Sequence, residues 1–166
     1  MLRVFIFTLF TTITLMATAQ MGDILIMDGK KVSIYTNPLE SYVKQKKLKF
    51  KFMCTGCWRG YVATWKVIDD DLYIVGLEDG GCMHRKPIPL KKIFPNLKGD
   101  KVKATWFSGE IRIPQGKLLN YAHGGYMSIF EQDLFLKFDK GELIDRRTAD
   151  NRKKWAEDIK KLEANH

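Results

Sequence analysis

Alternation of apolar and polar residues dominates the chain and predicts β-strands. The clearest case is residues 47–52, where Leu48, Phe50 and Phe52 alternate with three lysines, Lys47, Lys49 and Lys51. Because a strand places successive side chains on opposite faces, the apolar residues would point inward and the lysines outward. The segment is therefore predicted to be a strand with one lysine-covered face.

Four turn signals separate alternating segments and predict hairpins. They are Asp28-Gly29 between residues 23–27 and 31–36, the acidic run 69–71 between 61–68 and 72–77, Pro114-Gln115-Gly116 between 102–113 and 117–121, and Lys140-Gly141 between 134–138 and 142–144. Glycine tolerates the backbone of tight turns, and proline suits an early turn position. Ser108-Gly109 is a candidate break within 102–113. The expected fold class is mainly β, an antiparallel barrel or a strongly curved sheet.

Two segments have the pattern of helices. Residues 37–46 begin with a capping asparagine, a proline at the first helical position and a glutamate at the third, which predicts a short internal helix. Residues 150–162 place Trp155, Ile159 and Leu162 on one stripe among charged residues. We expect this amphipathic C-terminal helix to pack across the sheet or to close one end of a barrel, with Trp155 buried.

The first 19 residues have the features of a secretory signal peptide. Arg3 precedes an uncharged apolar run over residues 4–16, and Ala17 and Ala19 are the small residues that a signal peptidase recognises. The run is shorter than the roughly 20 residues that a membrane-spanning helix needs. We expect cleavage after Ala19, no transmembrane segment after cleavage, a periplasmic or secreted location, and a single β-rich domain over residues 20–166.

Composition and charge narrow the classes of function. The 166-residue chain is 45% hydrophobic and 28% charged, which excludes a disordered, collagen-like or coiled-coil protein. Its formal net charge is +9, and residues 44–51 alone contain five lysines and no acid. A basic surface attracts an acidic protein or an anionic envelope polymer, and export argues against nucleic acid as the partner. Lysines that protect an exposed strand edge against aggregation would give the same pattern.

Three cysteines, Cys54, Cys57 and Cys82, follow the predicted cleavage site. An oxidising compartment favours one disulfide, and the odd number leaves one thiol. Extended backbone places side chains three apart on opposite faces, which disfavours a Cys54–Cys57 bridge, so we expect Cys82 to pair with Cys54 or Cys57. The remaining cysteine is expected to be buried or slow to react. A redox C-x-x-C motif normally opens a helix, whereas a strand is predicted after Cys57. A Cys₃His zinc site with His84 would need an unusually short spacing after Cys82. We expect no cofactor and no functional metal.

The densest aromatic segment, residues 57–65, offers two interpretations. On a strand, Arg59, Tyr61 and Trp65 share one face. Arg59 could bind an anionic group with the Tyr61 ring stacked alongside. Alternatively, Tyr61 and Trp65 fill the core and Arg59 neutralises a buried acid.

A glycine-rich loop over residues 120–126 supplies the other candidate chemistry. The loop and the strand before it carry four candidate ligand-binding residues: Arg112, Tyr121, His123 and Tyr126. His123 is the candidate catalytic histidine, since a loop can bring it to a cleft, and Glu131 or Asp133 could share acid–base work with it. An ordinary surface loop would have the same composition. The chain has no nucleophile-elbow, zinc-hydrolase, phosphate-loop or dinucleotide motif.

Three strings resemble those of a group of uncharacterised exported bacterial proteins. They are residues 58–65 (W-R-G-Y-V-A-T-W), residues 108–116 and residues 121–126. The resemblance covers about half of the chain that would remain after cleavage. It implies a bacterial envelope protein and assigns no catalytic residue.

The predicted function is a non-enzymatic binding or inhibitor protein of the bacterial envelope, a class that includes immunity-type proteins that block a toxin. Export, small size, basic charge and the absence of a catalytic motif favour it. Its surface is expected at Arg59, at the lysines of residues 47–51 and at the loop around His123. The alternative is a small envelope hydrolase that uses His123 with Glu131 or Asp133, and a concave pocket shared by these groups would favour it.

Overall fold

β-Strands make up most of the regular structure in the computed structural model, which describes residues 19–164. The elements of this part of the chain are β1 (Asp23–Met27), β2 (Lys30–Ile34), α1 (Glu40–Gln45), β3 (Tyr61–Ile68), β4 (Asp71–Asp79), α2 (Leu90–Ile93), β5 (Val102–Lys103), β6 (Gly109–Asn120), β7 (Ile129–Asp139), β8 (Glu142–Asp150) and α3 (Arg152–Ala164). The mainly β class is therefore confirmed. The predicted signal peptide, apart from Ala19, lies outside the described residues.

All strands of residues 19–164 belong to one sheet in the order β2-β1-β3-β4-β8-β7-β6, with β5 paired to β4. The sheet is mixed rather than antiparallel throughout, because β3 runs parallel to β1. A parallel pair needs a long crossover, and α1 with the cysteine-containing segment provides it. The sheet is narrowest between β4 and β8, where the paired residues are Asp71 and Glu142.

The sheet does not close into a barrel, although its two ends approach each other. The Tyr35 N–H, just after β2, donates to the Arg112 carbonyl of β6 over 2.7 Å. The Thr36 hydroxyl donates to the Glu110 carbonyl and accepts from the Arg112 N–H. These contacts follow the end of β2 and are not part of a continuous ladder, so the sheet curves until its edges touch without becoming a closed cylinder.

Three of the four predicted hairpins are confirmed, at Asp28-Gly29, at Asp69-Asp70 and at Lys140-Gly141. The turn predicted at Pro114-Gln115-Gly116 is wrong, because β6 continues through it and pairs with β7. The pairing register shifts just after Gln115, and Gly116 has φ +75°, so this glycine forms a bulge instead of a turn. The predicted break at Ser108-Gly109 is confirmed, since β6 begins at Gly109.

The strand predicted over residues 47–52 is also wrong, because this segment is irregular. Leu48 and Phe50 pack against the core, whereas Phe52 is 51% exposed. The alternation therefore reflects one-sided burial of a segment that pairs with no strand. The segment is fixed by close packing instead: a Cβ on Gly60 would lie 2.5 Å from the Lys51 carbonyl oxygen.

The helices differ in how well the sequence predicts them. Both α1 and α3 are confirmed, whereas the short α2 has no sequence signal that we identified. The burial predicted for Trp155 is wrong: α3 has no buried residue among its described side chains, and Leu162 is 58% exposed. A stripe of three apolar residues is too narrow to bury a helix that starts beyond the last strand. Within residues 19–164, no helix is both long and apolar enough to cross a bilayer.

Candidate functional site

Arg59 pairs with a buried acid that lies in β1. Asp23 is fully buried, and its Oδ1 accepts from Arg59 Nη2 at 2.8 Å and from the Ala63 N–H at 3.0 Å. Its Oδ2 accepts from Trp65 Nε1 at 3.0 Å. Burial raises the pKa of Asp23, and the Arg59 charge and these donors oppose that shift. The structure thus gives Arg59 the role of neutralising a buried acid, with Trp65 and Tyr61 in the core.

Tyr61 is buried next to the Asp23–Arg59 pair. It is 1% exposed, its ring packs against Phe50 with centroids 4.7 Å apart, and the Arg59 guanidinium carbon lies 5.3 Å from its centroid. Burial raises the pKa of Tyr61. The Tyr61 hydroxyl and Arg59 Nε are buried atoms without a hydrogen-bond partner among the described residues.

Tyr126 joins this pair to a second arginine. Its hydroxyl accepts from Arg59 Nη1 at 3.1 Å and lies 2.7 Å from Asn37 Oδ1, while its carbonyl accepts from Arg112 Nη1 at 2.8 Å. Its ring stacks on Tyr35 with centroids 5.1 Å apart. Burial raises the pKa of Tyr126 to about 12. Arg59, Tyr126 and Arg112, three predicted site residues, therefore form one connected network.

Arg112 uses its remaining donors inside the protein. Its Nε donates to Asp133 Oδ1 at 2.8 Å, and its Nη2 donates to the Ser128 carbonyl at 3.0 Å. The second oxygen of Asp133 accepts from Asn151 Nδ2 at 2.9 Å. Both guanidinium groups of the predicted site thus bind carboxylates of this chain, which leaves them poorly placed to bind an external anion.

The glycine-rich loop holds Tyr121 and His123 at the surface. Tyr121 is 54% exposed and meets the His123 ring edge-on, with centroids 4.8 Å apart. Glu131 Oε2 accepts from the Lys117 N–H, and the Asp133 oxygens are occupied as described above. Among the described residues, neither carboxylate is hydrogen-bonded to His123.

The segment 19–21 connects the glycine-rich loop to the cysteines. The Gln20 N–H donates to the Gly125 carbonyl at 3.1 Å, and the Met21 N–H donates to the Gly56 carbonyl at 2.7 Å. The Gln20 side chain donates to the Thr55 carbonyl and accepts from the Trp58 N–H. The two loops are therefore held at the same end of the sheet.

Cys54 and Cys82 form a disulfide with Cα atoms 6.1 Å apart, and Cys57 is free and buried. This is one of the two pairings that the sequence left open, and the burial predicted for the remaining cysteine is confirmed. The Cys57 thiol donates to the Tyr61 carbonyl at 3.1 Å. Because the disulfide uses two of the sulfurs, this pairing is incompatible with a Cys₃His zinc site.

Exposed apolar side chains flank the disulfide cysteines in sequence. Phe52 is 51% exposed, Met53 44%, Trp58 66% and Met83 88%, and the Phe52 and Trp58 rings lie 5.3 Å apart. Such large exposed side chains clustered together are uncommon on a monomeric protein. They define, with four exposed lysines, the surface that we call the disulfide corner: Phe52, Met53, Trp58, Met83, Lys49, Lys51, Lys86 and Lys92.

Three of the four lysines of the disulfide corner border a groove. Lys49, Lys51 and Lys92 line a groove of about 430 Å³ together with Met53 and other residues. Lys47 is exposed in the turn that follows α1. Two of the three predicted site lysines therefore lie beside the exposed apolar side chains.

Sequence reasoning missed the apolar part of this corner. Alternation assigns Phe52 to the core, and Trp58 is not among the binding residues that the sequence predicts. The available signal was the position of Met53 and Met83 directly beside cysteines, outside any strand signal.

No family model, no curated protein and no solved structure matches this chain.

Proposed function

We propose that the protein is an exported, non-enzymatic binding module of the bacterial envelope that captures an anionic partner through the disulfide corner. The observation that carries this proposal is the exposed Phe52–Trp58 ring pair beside lysines. Aromatic side chains supply contact area with little loss of conformational freedom, and lysines attract a partner of opposite charge. An acidic protein and an anionic envelope polymer are both candidate partners.

Rigidity of the corner supports a binding role. A Cβ on Gly80 would lie 2.8 Å from the Gly60 backbone and 3.1 Å from Cys57 Sγ, so the 57–60 turn and the Gly80 backbone pack closely beneath the surface. The disulfide then fixes the segments that carry Met53 and Met83. A surface that is ordered before it meets its partner loses less entropy on binding.

Three lysines and one carboxylate, that of Asp79, line the groove, so its local charge is positive. Asp79 accepts from the N–H groups of Gly81 and Lys86, and Glu78 pairs with Arg85 at 3.2 Å. Among the described residues, no carboxylate lies within 4.0 Å of the amino group of any of the four lysines of the disulfide corner. They are therefore free to meet an external anion.

Export of the protein is consistent with the position of Gln20 and with the disulfide. Cleavage after Ala19 would make Gln20 the first residue, and Gln20 is already placed between the two loops by its backbone and its side chain. The disulfide also suits an oxidising compartment.

Capture from envelope extracts tests the proposal. The immobilised protein is expected to retain an anionic component that is released by salt. Trp58→Ala and the triple variant Lys49→Gln/Lys51→Gln/Lys92→Gln should both weaken retention by about tenfold or more. Matched controls are Ile144→Ala, at an exposed apolar residue of β8, and Lys153→Gln/Lys160→Gln/Lys161→Gln on α3. Equal retention by the corner variants and the controls would refute the proposed function.

A further inference from the structure

The exposed residues of the disulfide corner combine two chemistries in one place. Trp58 and Phe52 are aromatic side chains with more than half of their surface exposed, and Met83 is 88% exposed. Lys49, Lys51 and Lys92 lie beside Met53 in the adjoining groove. Aromatic rings favour the boundary between water and lipid, and lysines favour anionic headgroups.

We infer that the disulfide corner docks on the anionic surface of a phospholipid bilayer, with Trp58 and Phe52 at the level of the headgroups and the lysines on the lipid phosphates. This inference rests on the proposed function and names a lipid surface as the anionic partner, in place of an acidic protein or a polymer. It assigns one task to each part of the corner, since the rings contribute apolar contact and the lysines contribute attraction to negative charge.

The presence of lysine rather than arginine at the basic positions of the corner favours a lipid surface over an acidic protein. The cations of the corner are lysines, and Arg85, the neighbouring arginine, is engaged with Glu78 and with Met21 Sδ. Protein interfaces are enriched in arginine and depleted of lysine, whereas a charged lipid layer requires no planar, bidentate donor. Lysine on a flexible stem can follow mobile headgroups.

The exposure of the apolar side chains of the corner also favours a lipid surface over an acidic protein. The exposed fractions of Trp58 and Met83 show that these side chains project from the surface rather than line a cleft. A projecting side chain needs a complementary pocket on a protein partner, whereas the headgroup layer of a bilayer yields to it. The disulfide and the glycine packing beneath hold the projecting residues in place.

Binding to vesicles tests this inference. The purified protein is mixed with phosphatidylcholine vesicles, with or without phosphatidylglycerol, and sedimented. Binding is expected with the anionic vesicles and is expected to weaken as salt increases. The variant Lys49→Gln/Lys51→Gln/Lys92→Gln should bind about 100-fold more weakly, at about fivefold for each lysine, whereas Lys153→Gln/Lys160→Gln/Lys161→Gln should bind like the unaltered protein.

Quenching by brominated lipid tests the position of the ring. Trp58 is one of four tryptophans, and Trp65 is fully buried. Bromine in the upper acyl chain should quench emission of the bound protein, and Trp58→Phe should remove most of that quenching. Near-ultraviolet circular dichroism of each variant checks that the fold is intact. Quenching unchanged in Trp58→Phe would overturn the inference.

Comparing capture from extracts with vesicle binding distinguishes failure of the inference from failure of the proposed function. Capture from envelope extracts that depends on the corner, together with no binding to anionic vesicles, would overturn the inference and leave an acidic protein or a polymer as the partner. Failure of both experiments would overturn both. The inference would also be contradicted if the protein bound to both vesicle types and the lysine substitutions left that binding unchanged.

Discussion

Trp58 and Trp65 belong to one aromatic segment and have opposite surroundings. Trp65 is fully buried and donates to Asp23, whereas Trp58 is 66% exposed and contacts Phe52. Gly60, with φ +75°, lies between them: the residues that follow it enter β3, whereas Trp58 precedes it in the disulfide corner. The comparison shows that the same residue type stabilises the fold on one side of this glycine and is available for contact on the other.

The two regions are also held together differently. The region around Trp65 depends on hydrogen bonds and charge pairing in the protein interior, with Asp23 at its centre. The corner depends on a covalent bond and on close glycine packing. Substitutions around Trp65 or of the disulfide should therefore act on stability, whereas substitutions of the exposed side chains of the corner should act on binding.

Asp23→Ala is expected to have the largest effect on stability. It leaves the Arg59 charge largely buried without its partner and removes the acceptor of Trp65 Nε1. Breaking a buried pair in this way costs about 3–5 kcal/mol. Urea unfolding measures the change. As a control, Glu110→Ala removes a pair with Arg147 in which both side chains are exposed, and it should cost no more than about 1 kcal/mol. A similar small loss for Asp23→Ala would show that the buried pair does not hold this region together.

Cys54→Ser/Cys82→Ser should lower stability by about 3–4 kcal/mol, because the disulfide spans a sequence separation of 28 residues and restricts the unfolded chain. The network around Trp65 should survive in the folded variant, since none of its hydrogen bonds involves these cysteines. Guanidinium unfolding with and without a reducing agent measures the effect. The reducing agent should lower the stability of the unaltered protein to that of the variant and leave the variant unchanged. A variant as stable as the parent would contradict the covalent role given to the corner.

The sequence predicts the sheet region better than the corner. Turn residues at Asp28-Gly29 and Lys140-Gly141 have strong local preferences, so these hairpins are predictable from a few residues. The 47–52 segment carries the same alternation as a strand, but strand formation also needs a neighbouring strand, which no local pattern reports. The turn predicted at Gly116 is wrong for a related reason, since positive φ serves a bulge as well as a turn.

The candidate site is predictable in composition and not in geometry. Arg59, Arg112 and Tyr126 do come together, but their partners Asp23 and Asp133 lie far away in sequence. Spacing cannot show that a guanidinium is already paired with an internal carboxylate. The exposure of Trp58 likewise depends on how Gly60 and Gly80 pack, which is a tertiary property.

Tyr126→Phe should have an intermediate effect that depends on pH. The pKa of Tyr126 rises from 10.0 to about 12 in the folded protein, so the folded state retains this proton more strongly than the unfolded chain does. The resulting stability is fully present below about pH 10 and is lost as the pH rises towards about 12. The difference in unfolding free energy between the parent and Tyr126→Phe should therefore shrink over this interval, by no more than about 2 kcal/mol after solvent screening. Urea unfolding at a series of pH values measures it, and Tyr121→Phe, at an exposed ring, controls for loss of a hydroxyl. A constant difference would contradict the buried position of the Tyr126 hydroxyl.

Trp58→Ala should have the smallest effect on stability, and this small effect is what the comparison with Trp65 requires. A ring that is 66% exposed loses little buried surface when it is removed, so the unfolding free energy should change by no more than about 0.5 kcal/mol. The tryptophan fluorescence should change clearly, in contrast to the unfolding free energy. The ring most accessible to an aqueous quencher such as acrylamide is lost, while the buried Trp65 remains. Urea unfolding and acrylamide quenching of the same samples measure the two effects. A loss of more than about 1 kcal/mol would mean that Trp58 holds the corner together through Phe52, and its exposure would then be a consequence of packing rather than an available contact surface.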